Sequence, residues 1–414
     1  MEPLERLYWL FHTETTQDQI NRRLNGFHEA DWEQLLAASR QGGAQPLLYL
    51  KLNALGEQIT VPAFILKELH EGYLASTGRN MVMLHNTAKV LAAFQAAGID
   101  VIGLKGIYLV ENVYQTIGAR PFGDVDLMVR KAQIPGAVSQ LEQLGYHQLT
   151  YFSAADPNFD IKHVPPMVND AGVTVELHWT ILEEEEPFTI DAGGLWARAI
   201  PAQIGGVYVL ALSPDDLLAH LCLHLGYQHS WNMGFRGLYD IAEVLQHFET
   251  TLDWTMVKQI AEDWGAERVT WMALDLVEAL FGAPVPKAFM DALQPGSLEP
   301  WMIAEARSLL MSTAAPKAPM TPDLAGLASE KGSLKRIKRL FSRVFIPRHR
   351  LARLYNVPPG SIRIYGCYFK RFFDLKKQYA GSVKRIFTED GGMQTSAEKE
   401  RHKQRFKAWL GNNK

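Results

Sequence analysis

The stretch Gly123-Asp124-Val125-Asp126-Leu127 decides the fold class of this 414-residue chain. It predicts a buried strand over residues 124–129, in which the apolar Val125 separates two aspartates. Side chains two residues apart on a strand share a face, so Asp124 and Asp126 lie side by side. Shared carboxylate ligands of divalent cations need this arrangement. Alone, an Asp-x-Asp pair is a weak signal, because an exposed strand start has the same spacing.

The turn upstream of this strand is a candidate phosphate-binding element. Gly103-Leu104-Lys105-Gly106 lies where a short buried strand at 99–104 ends and a helix over about 107–116 begins. At the start of a helix, free backbone N–H groups and the helix dipole favour a bound phosphate. The sequence therefore predicts a phosphate site close to the two aspartates.

A third acidic side chain lies downstream, in a predicted strand at 173–179. Alternation puts Glu176 and His178 on the face opposite Val175 and Leu177. An acid in the middle of an otherwise apolar strand either faces solvent or completes a metal site. Glu176 is therefore a candidate third carboxylate, and His178 is a candidate lining residue of the same cleft.

The surrounding pattern is typical of an α+β protein. Predicted strands and helices alternate from residue 98, and an edge strand is expected at 207–210. This order predicts a small mixed β-sheet with helices on one face, embedded in a mainly helical protein. Ser213 is the predicted N-cap of the helix that follows. The predicted segments are an N-terminal helical region at 1–97, the α/β core at 98–212, a helical domain at 213–313, a linker loop at 314–330 and a basic helical C-terminal region at 331–414.

The net charge of -3 hides a strong asymmetry along the chain. Residues 331–414 hold 22 Lys and Arg against five acidic residues, a net charge of +17, whereas residues 1–330 hold 20 basic and 40 acidic residues, a net charge of -20. This division predicts an anionic partner for the basic segment or docking of that segment onto the acidic body. Aromatic residues between 365 and 373 recur at helical spacing, which favours core packing over base stacking. Docking is therefore preferred, and nucleic acid is a less favoured partner.

Cysteine usage and the N-terminus indicate the compartment. The chain has two cysteines without a metal-type spacing, which argues against a disulfide framework or a zinc ribbon and favours a reducing compartment. The N-terminal residues are acidic where a secretory signal is basic, and no apolar run reaches the roughly 18 residues that span a bilayer. These features predict a cytoplasmic protein without a transmembrane segment.

Residues 98–180 resemble the nucleotidyltransferase superfamily with the DNA polymerase beta-like fold, in which a Gly-containing turn, a helix, an Asp-x-Asp strand and a later acidic strand follow one another. More narrowly, Leu104-Lys105-Gly106, the segment 120–127 and the segment 175–179 are similar to the bacterial family of uncharacterised nucleotidyltransferases. The similarity extends to Leu238-Tyr239-Asp240-Ile241 and to Ile346-Pro347-Arg348, and it is expected to cover most of residues 80–375.

The resemblance implies a magnesium-dependent nucleotidyltransferase. Such an enzyme transfers a nucleoside monophosphate from a nucleoside triphosphate, such as ATP, to an acceptor hydroxyl or phosphate and releases pyrophosphate. The implied catalytic residues and metal ligands are Asp124, Asp126 and Glu176, which would bind two Mg²⁺ ions, with Mn²⁺ as an alternative. Glu176 or Asp126 would assist deprotonation of the acceptor. The acceptor stays open among a small molecule, a sugar, a peptide and a protein.

The resemblance also implies a set of nucleotide-binding residues, namely Gly103, Lys105, Gly106, Arg120 and Gly123. The superfamily turn is usually Gly-Gly or Gly-Ser, whereas this chain has Lys105-Gly106. Lys105 is therefore a candidate point charge for the phosphates. Arg120 either contacts phosphate or pairs with an acidic side chain.

Three further residues are candidates for the cleft. His220 and His224 are spaced i, i+4 on one helix, which can hold a metal, although packing against a neighbouring helix explains the spacing equally. Asp240 either reaches these histidines or a substrate, or is a buried cap.

Two alternatives to the transferase follow. One is a non-catalytic module that keeps the fold and binds a peptide or nucleic acid, and the other is a metal-dependent hydrolase built on His220, His224 and Asp240.

Overall fold

The computed structural model describes residues 2–148, 162–183, 186–311, 345–355, 357–358, 360–386 and 405–411. The chain divides into two compact units, one of Met1–His147, Ile161–Thr313 and Leu410–Lys414, the other of Gln148–Asp160 and Ala314–Trp409. The predicted linker at 314–330 and the basic stretch that follows it lie outside the described residues.

Five helices precede the first strand, in agreement with the helical pattern of the sequence. They are α1 (Pro3–Phe11), α2 (Gln17–Leu24), α3 (Glu29–Gln41), α4 (Gln45–Leu55) and α5 (Ala63–Ala96). Helix α5 buries Met83, Val90 and Phe94 at helical spacing. Gly98 follows it with φ 66°, a left-handed conformation that ends the helix and leads into the first strand.

Seven short strands form one mixed sheet in the first unit. They are β1 (Ile102–Gly103), β2 (Val125–Met128), β3 (His147–Gln148), β4 (Met167–Val168), β5 (Thr174–His178), β6 (Ile200–Ile204) and β7 (Val207–Ala211), in the order β3-β4-β5-β2-β1-β7-β6. Strand β2 runs parallel to β5, and β1 runs parallel to β7, while β1 and β2 are antiparallel. The predicted α+β class, with a small mixed sheet in a mainly helical chain, is confirmed.

Two details of this sheet differ from the sequence-based expectation. Strand β7 is an internal strand, because it lies between β1 and β6, so the expected edge strand was wrong. Strand β6 pairs with β7 through a two-residue turn at Gly205 and Gly206, whose φ values of 58° and 77° suit a tight hairpin. The helix expected at 107–116 begins earlier, as α6 (Lys105–Tyr108), and continues as a π-helical turn at Leu109–Val113.

Helices fill most of the rest of the first unit. They are α7 (Ile134–Gln143), α8 (Ala192–Arg198), α9 (Pro214–Leu223), α10 (Gly234–His247), α11 (Trp254–Trp264), α12 (Glu267–Phe281), α13 (Lys287–Leu293) and α14 (Pro300–Leu310). The predicted start of α9 is confirmed, because the Ser213 hydroxyl accepts a hydrogen bond from the Asp216 backbone N–H at 3.1 Å. A π-helical turn at His224–Gln228 extends α9.

The described residues of the second unit include the helices α15 (Arg348–Tyr355) and α16 (Arg363–Ile386). They pack through a small core of Leu351, Ala352, Ile364 and Cys367. Core packing was expected for the aromatic residues of α16, but only Tyr368 packs against this core. The other four are exposed: Tyr365, Phe369, Phe372 and Phe373. The small core occupies one face of α16, and these four aromatic side chains lie on the face that it leaves uncovered.

The structure also describes the cysteines and the apolar character of the helices. Cys222 and Cys367 are both buried and unpaired. Among the helices that the structure describes, none combines the length and the apolar character needed to cross a lipid bilayer.

Candidate metal and nucleotide site

Strand pairing brings the acidic residues together. Strands β2 and β5 are parallel with Asp126 beside Glu176 and Met128 beside His178, and Asp124 directly precedes β2. Because side chains alternate along a strand, Asp126, Glu176 and His178 project from the same face of the sheet. One ligand atom from each of these three lies within 4.8 Å of the others, and no other trio of potential metal ligands among the described residues meets this criterion.

His178 connects the two carboxylates of this group. Its Nε2 lies 2.8 Å from Asp126 Oδ1 and 3.5 Å from Glu176 Oε2. Carboxylates only accept hydrogen bonds, so Nε2 carries the proton and donates it to Asp126. His163 packs against the His178 ring at a centroid distance of 5.0 Å, and its Nε2 is 4.0 Å from Glu176 Oε2. His178 is thus hydrogen-bonded to Asp126, and both imidazoles have a nitrogen within 4.0 Å of a Glu176 carboxylate oxygen.

The three acids differ in their affinity for protons. Burial alone would raise the pKa of Asp126, but the Lys105 ammonium and the hydrogen bond from His178 hold it well below its ordinary value. The His178 hydrogen bond also lowers the pKa of Glu176. Burial, followed by the negative charges of Asp126 and Glu176, raises the pKa of Asp124. Asp124 therefore lies close enough to the other two acids to feel their charge, although it is not part of the tight group.

Lys105 forms an ion pair with Asp126, one of the carboxylates of this site. Its Nζ donates a hydrogen bond to Asp126 Oδ1 at 3.2 Å, and both side chains are largely buried. The turn is held in place by the Leu104 backbone N–H, which donates to the Asp126 carbonyl oxygen at 3.0 Å. Lys105 adopts φ 44°, a left-handed conformation that costs a non-glycine residue about 1–2 kcal/mol. The fold therefore accepts backbone strain at the residue that neutralises Asp126.

The predicted glycines have packing roles that the structure makes visible. A Cβ at Gly103 would come within 2.3 Å of Ile204 Cδ1, and a Cβ at Gly106 would come within 3.0 Å of Arg120 Nη1. Gly123 has more space, with Arg79 Nη2 at 3.8 Å from an ideal Cβ. A side chain at 103 would displace the end of the Ile204 side chain, and one at 106 would press on Arg120 and on Phe122 Cβ.

Arg120 forms a buried ion pair with Asp240. Its Nε and Nη2 donate to the two carboxylate oxygens at 2.7 and 2.8 Å, and the Tyr114 hydroxyl donates to Asp240 Oδ1 at 2.8 Å. Asn80 in α5 donates to the Arg120 carbonyl oxygen. Of the two arrangements considered for Arg120, the structure contains the pair with an acid, and that pair ties the segment before Asp124 to helix α10.

Three histidines gather near Lys105. The rings of His220 and His224 are 5.9 Å apart, and those of His224 and His229 are 4.4 Å apart. Burial is the main cause that lowers the pKa of each, and the Lys105 charge lowers it further. These imidazoles are therefore neutral neighbours of the carboxylates at physiological pH.

The arrangement required for the hydrolase alternative is not observed in the described part of the chain. Asp240 is engaged by Arg120 and Tyr114, and His224 Nδ1 is hydrogen-bonded to Gln228 Oε1 at 2.7 Å. His220, His224 and Asp240 do not form a group of potential metal ligands there.

Sequence reasoning missed four residues of this region: Tyr114, Lys162, His163 and Arg236. Lys162 and His163 directly follow a segment without a recognisable pattern, and Arg236 precedes the Leu238-Tyr239-Asp240-Ile241 motif by two residues. The motif itself was the signal that could have drawn attention to Arg236.

One of the comparisons with known proteins identifies a family. A search of curated proteins found no match to the chain. The family described as "Uncharacterised nucleotidyltransferase" matches residues 28–282, which include every strand of the sheet and the whole carboxylate group. The match starts earlier and ends earlier than the expected range of 80–375. Since it covers more than half of the sequence, the chain belongs to this family of nucleotidyltransferases.

Proposed function

We propose that the protein is a magnesium-dependent nucleotidyltransferase that moves a nucleoside monophosphate from a nucleoside triphosphate to an acceptor hydroxyl or phosphate. The observation that carries the proposal is the parallel register of β2 and β5, which brings Asp126 beside Glu176 in a buried, hydrogen-bonded group. Family membership supports the reaction class. The acceptor is a small molecule, a sugar, a peptide or a protein.

The donor atoms fit a hard divalent cation. Asp126 and Glu176 supply carboxylate oxygens, which Mg²⁺ and Mn²⁺ prefer. The lowered pKa of each keeps both ionised at neutral pH, so they are ready to bind a cation. With Asp124 beside them, these carboxylates are the proposed ligands of two Mg²⁺ ions, with Mn²⁺ as the alternative. When bound, the ions supply charge neutralisation for the transferred phosphate and the leaving pyrophosphate.

The reaction is an in-line displacement at the α-phosphorus. A bond forms between the acceptor oxygen and the α-phosphorus, and the bond from the α-phosphorus to the oxygen that bridges to the β-phosphate breaks. The acceptor proton goes to a carboxylate. Glu176 suits this role better than Asp126, because its side chain is 21% exposed against 6% for Asp126. His178 keeps Glu176 oriented while it does so.

The test is transfer of labelled nucleotide by the full chain with each of four triphosphates, a panel of acceptors, and Mg²⁺ present or removed by chelation. Asp126→Asn and Glu176→Gln are each expected to lower pyrophosphate release by about a hundredfold or more, because each removes a charge from the reacting centre. Asp100→Asn is the matched control, since Asp100 is exposed and its ion-pair partner within the described part of the chain is the half-exposed Arg130. Unchanged Mg²⁺-dependent release in Asp126→Asn would refute the proposal.

One observation favours the non-catalytic alternative, in which the fold binds a peptide or nucleic acid. Lys105 already neutralises Asp126, where the superfamily usually has a small residue. Calorimetric titration with nucleoside triphosphates separates the two functions. The transferase binds nucleotide more tightly when Mg²⁺ is present, whereas a scaffold gives no metal-dependent nucleotide binding.

A further inference from the structure

The helices α15 and α16 leave an apolar surface open to solvent. Their small core occupies one face of α16 through Ile364 and Cys367, and the Tyr368 hydroxyl donates a hydrogen bond to the Ile346 carbonyl oxygen at 2.8 Å. Another face of α16, together with the residue before the helix, carries five large side chains that are 51–87% exposed. We call them the apolar stripe: Ile362, Tyr365, Phe369, Phe372 and Phe373.

The apolar stripe follows the period of an α-helix. Its members within α16 recur at intervals of four, three and one residues, and at 3.6 residues per turn they fall within an arc of about 100°. Residues 362 to 373 extend about 16 Å along the helix axis, at a rise of 1.5 Å per residue. The exposed apolar side chains therefore form one continuous band, whereas ordinary exposed apolar residues are scattered singly over a protein surface.

Positively charged side chains border the apolar stripe. Arg363 and Lys370 are exposed, and each directly follows a member of the stripe, so both lie about 100° further around the helix and along the same side. On α15, the Arg348 guanidinium lies 5.1 Å from the centre of the Tyr365 ring, and its Nη2 donates to the Tyr365 hydroxyl at 2.7 Å. The apolar band is thus flanked by cations from both helices.

Negative charge is almost absent from this part of the chain. Residues 345–386 contain ten Lys and Arg and one acidic residue, which gives a net charge of +9. That acidic residue, Asp374, accepts a hydrogen bond from the Tyr355 hydroxyl at 2.9 Å. Such a surface attracts a partner with negative charge, and it repels a second copy of the chain that would bring the same positive charge.

The partner must also accept large apolar side chains. Phe372 and Phe373 pack edge to face, with ring centres 5.6 Å apart and ring planes at 81°, so they do not form parallel plates on which successive nucleic-acid bases would stack. A lipid bilayer with acidic head groups accommodates both parts of the surface. Phenyl rings enter the boundary between head groups and acyl chains, and Lys and Arg side chains reach the lipid phosphates.

We propose that α15 and α16 bind the surface of an anionic lipid bilayer, with the apolar stripe inserted at the interface and with Arg348, Arg363 and Lys370 on the lipid head groups. Of the two alternatives that the charge asymmetry of the sequence leaves for the basic segment, the proposal selects an anionic partner over docking onto the acidic body. It is independent of the proposed function, because no residue of the carboxylate site takes part.

The test is co-sedimentation of the full chain with vesicles of phosphatidylcholine alone and with vesicles that also contain roughly 30% phosphatidylserine. We expect binding to the acidic vesicles, and we expect it to weaken as salt rises from about 0.1 M to 1 M. Phe369→Ser combined with Phe373→Ser is expected to weaken this binding about tenfold or more, because two phenyl rings no longer leave water. Lys370→Glu reverses one charge at the lipid surface and is expected to weaken it about tenfold.

Tyr208→Ser is the matched control, because Tyr208 is an aromatic residue of the first unit that is 71% exposed. Circular dichroism first establishes that each variant keeps the wild-type helix content. A preference for acidic vesicles that is lost in the double Phe variant and in Lys370→Glu, but kept in Tyr208→Ser, supports the proposal. Equal binding to both kinds of vesicle, binding to neither, or a double Phe variant that binds like Tyr208→Ser overturns it.

Two further measurements address the rival partners. A fluorescent single-stranded oligonucleotide reports binding of nucleic acid, and light scattering reports pairing of two copies. If either of these depends on Phe369 and Phe373 while the chain leaves acidic vesicles unbound, the apolar stripe belongs to that partner and the proposal is wrong. Should the double Phe variant not fold, Lys370→Glu and the salt dependence of vesicle binding decide.

Discussion

The buried pair between Arg120 and Asp240 allows a stability prediction of known sign and size. Asp240→Asn keeps the shape of the side chain and one oxygen acceptor for Tyr114 and Arg120 Nε, but it removes the negative charge and places an amide NH2 against Arg120 Nη2. The side chains of Arg120 and Asp240 are 6% and 2% exposed, so the guanidinium would be left buried without a counter-ion. Breaking such a pair from one side costs about 3–5 kcal/mol of unfolding free energy.

Urea unfolding of the full chain, followed by tryptophan fluorescence, measures this loss. Asp100→Asn is the control, because the pair of Asp100 with Arg130 is exposed and is worth less than about 1 kcal/mol. A triple variant, Arg120→Met with Asp240→Leu and Tyr114→Phe, removes both charges and the orphaned hydroxyl together, so it is expected to regain most of the lost stability. If Asp240→Asn lowers the free energy of unfolding no more than Asp100→Asn does, the ion pair of Arg120 with Asp240 does not stabilise the fold. The link between the segment before Asp124 and α10 would then not contribute to stability.

Two further predictions concern the charges around Asp126. Lys105→Gly relieves the left-handed backbone at this position but removes the ammonium from Asp126. The pKa of Asp126, measured by carboxylate NMR in metal-free protein, is therefore expected to be higher than in wild type. An unchanged pKa of Asp126 would mean that Lys105 does not contribute to lowering it. Burial holds the pKa values of His220 and His224 well below 6.5 in the folded state, so below pH 6.5 the unfolded chain binds more protons than the folded one. The contribution of these neutral histidines to the free energy of unfolding is therefore fully present above pH 6.5. Below that pH it falls by about 1.4 kcal/mol per pH unit for each histidine. Urea midpoints at pH 7.5 and 5.5 test this slope, which the double variant His220→Gln, His224→Gln should flatten.

The strands that carry the candidate metal ligands were predictable because their signal is local. Period-two alternation assigns Glu176 and His178 to one face without any knowledge of neighbours. Their pairing with β2 was not predictable, since the parallel register of Asp126 with Glu176 depends on a long connection that includes α7 and two strands. The family resemblance bridged this gap, because it carries the order of strands along with the motif.

The errors follow from long-range geometry or from overlooked turn chemistry. Gly205-Gly206 between two apolar stretches is a hairpin signal, and reading it would have added β6 and made β7 an internal strand. Nothing local separates an arginine that binds phosphate from one paired with an acid 120 residues away, as Arg120 is with Asp240. The same limit applies to Arg236, whose position in this region depends on its hydrogen bond to the carbonyl oxygen of Pro121, 115 residues away along the chain.

The charge distribution explains how an acidic body can hold a polyanion. With a net charge of -20 in residues 1–330, the carboxylates of the site would repel a triphosphate, and the sequence pointed to the +17 tail as the source of compensation. The first unit supplies a cation of its own, since the Lys105 ammonium lies 3.2 Å from Asp126 Oδ1. A few buried cations outweigh many surface charges, because exposed charges are screened within about 10 Å at 0.1 M salt. For the proposed function, the attraction of a triphosphate to the site is therefore expected to depend on such local charges rather than on the net charge of the body.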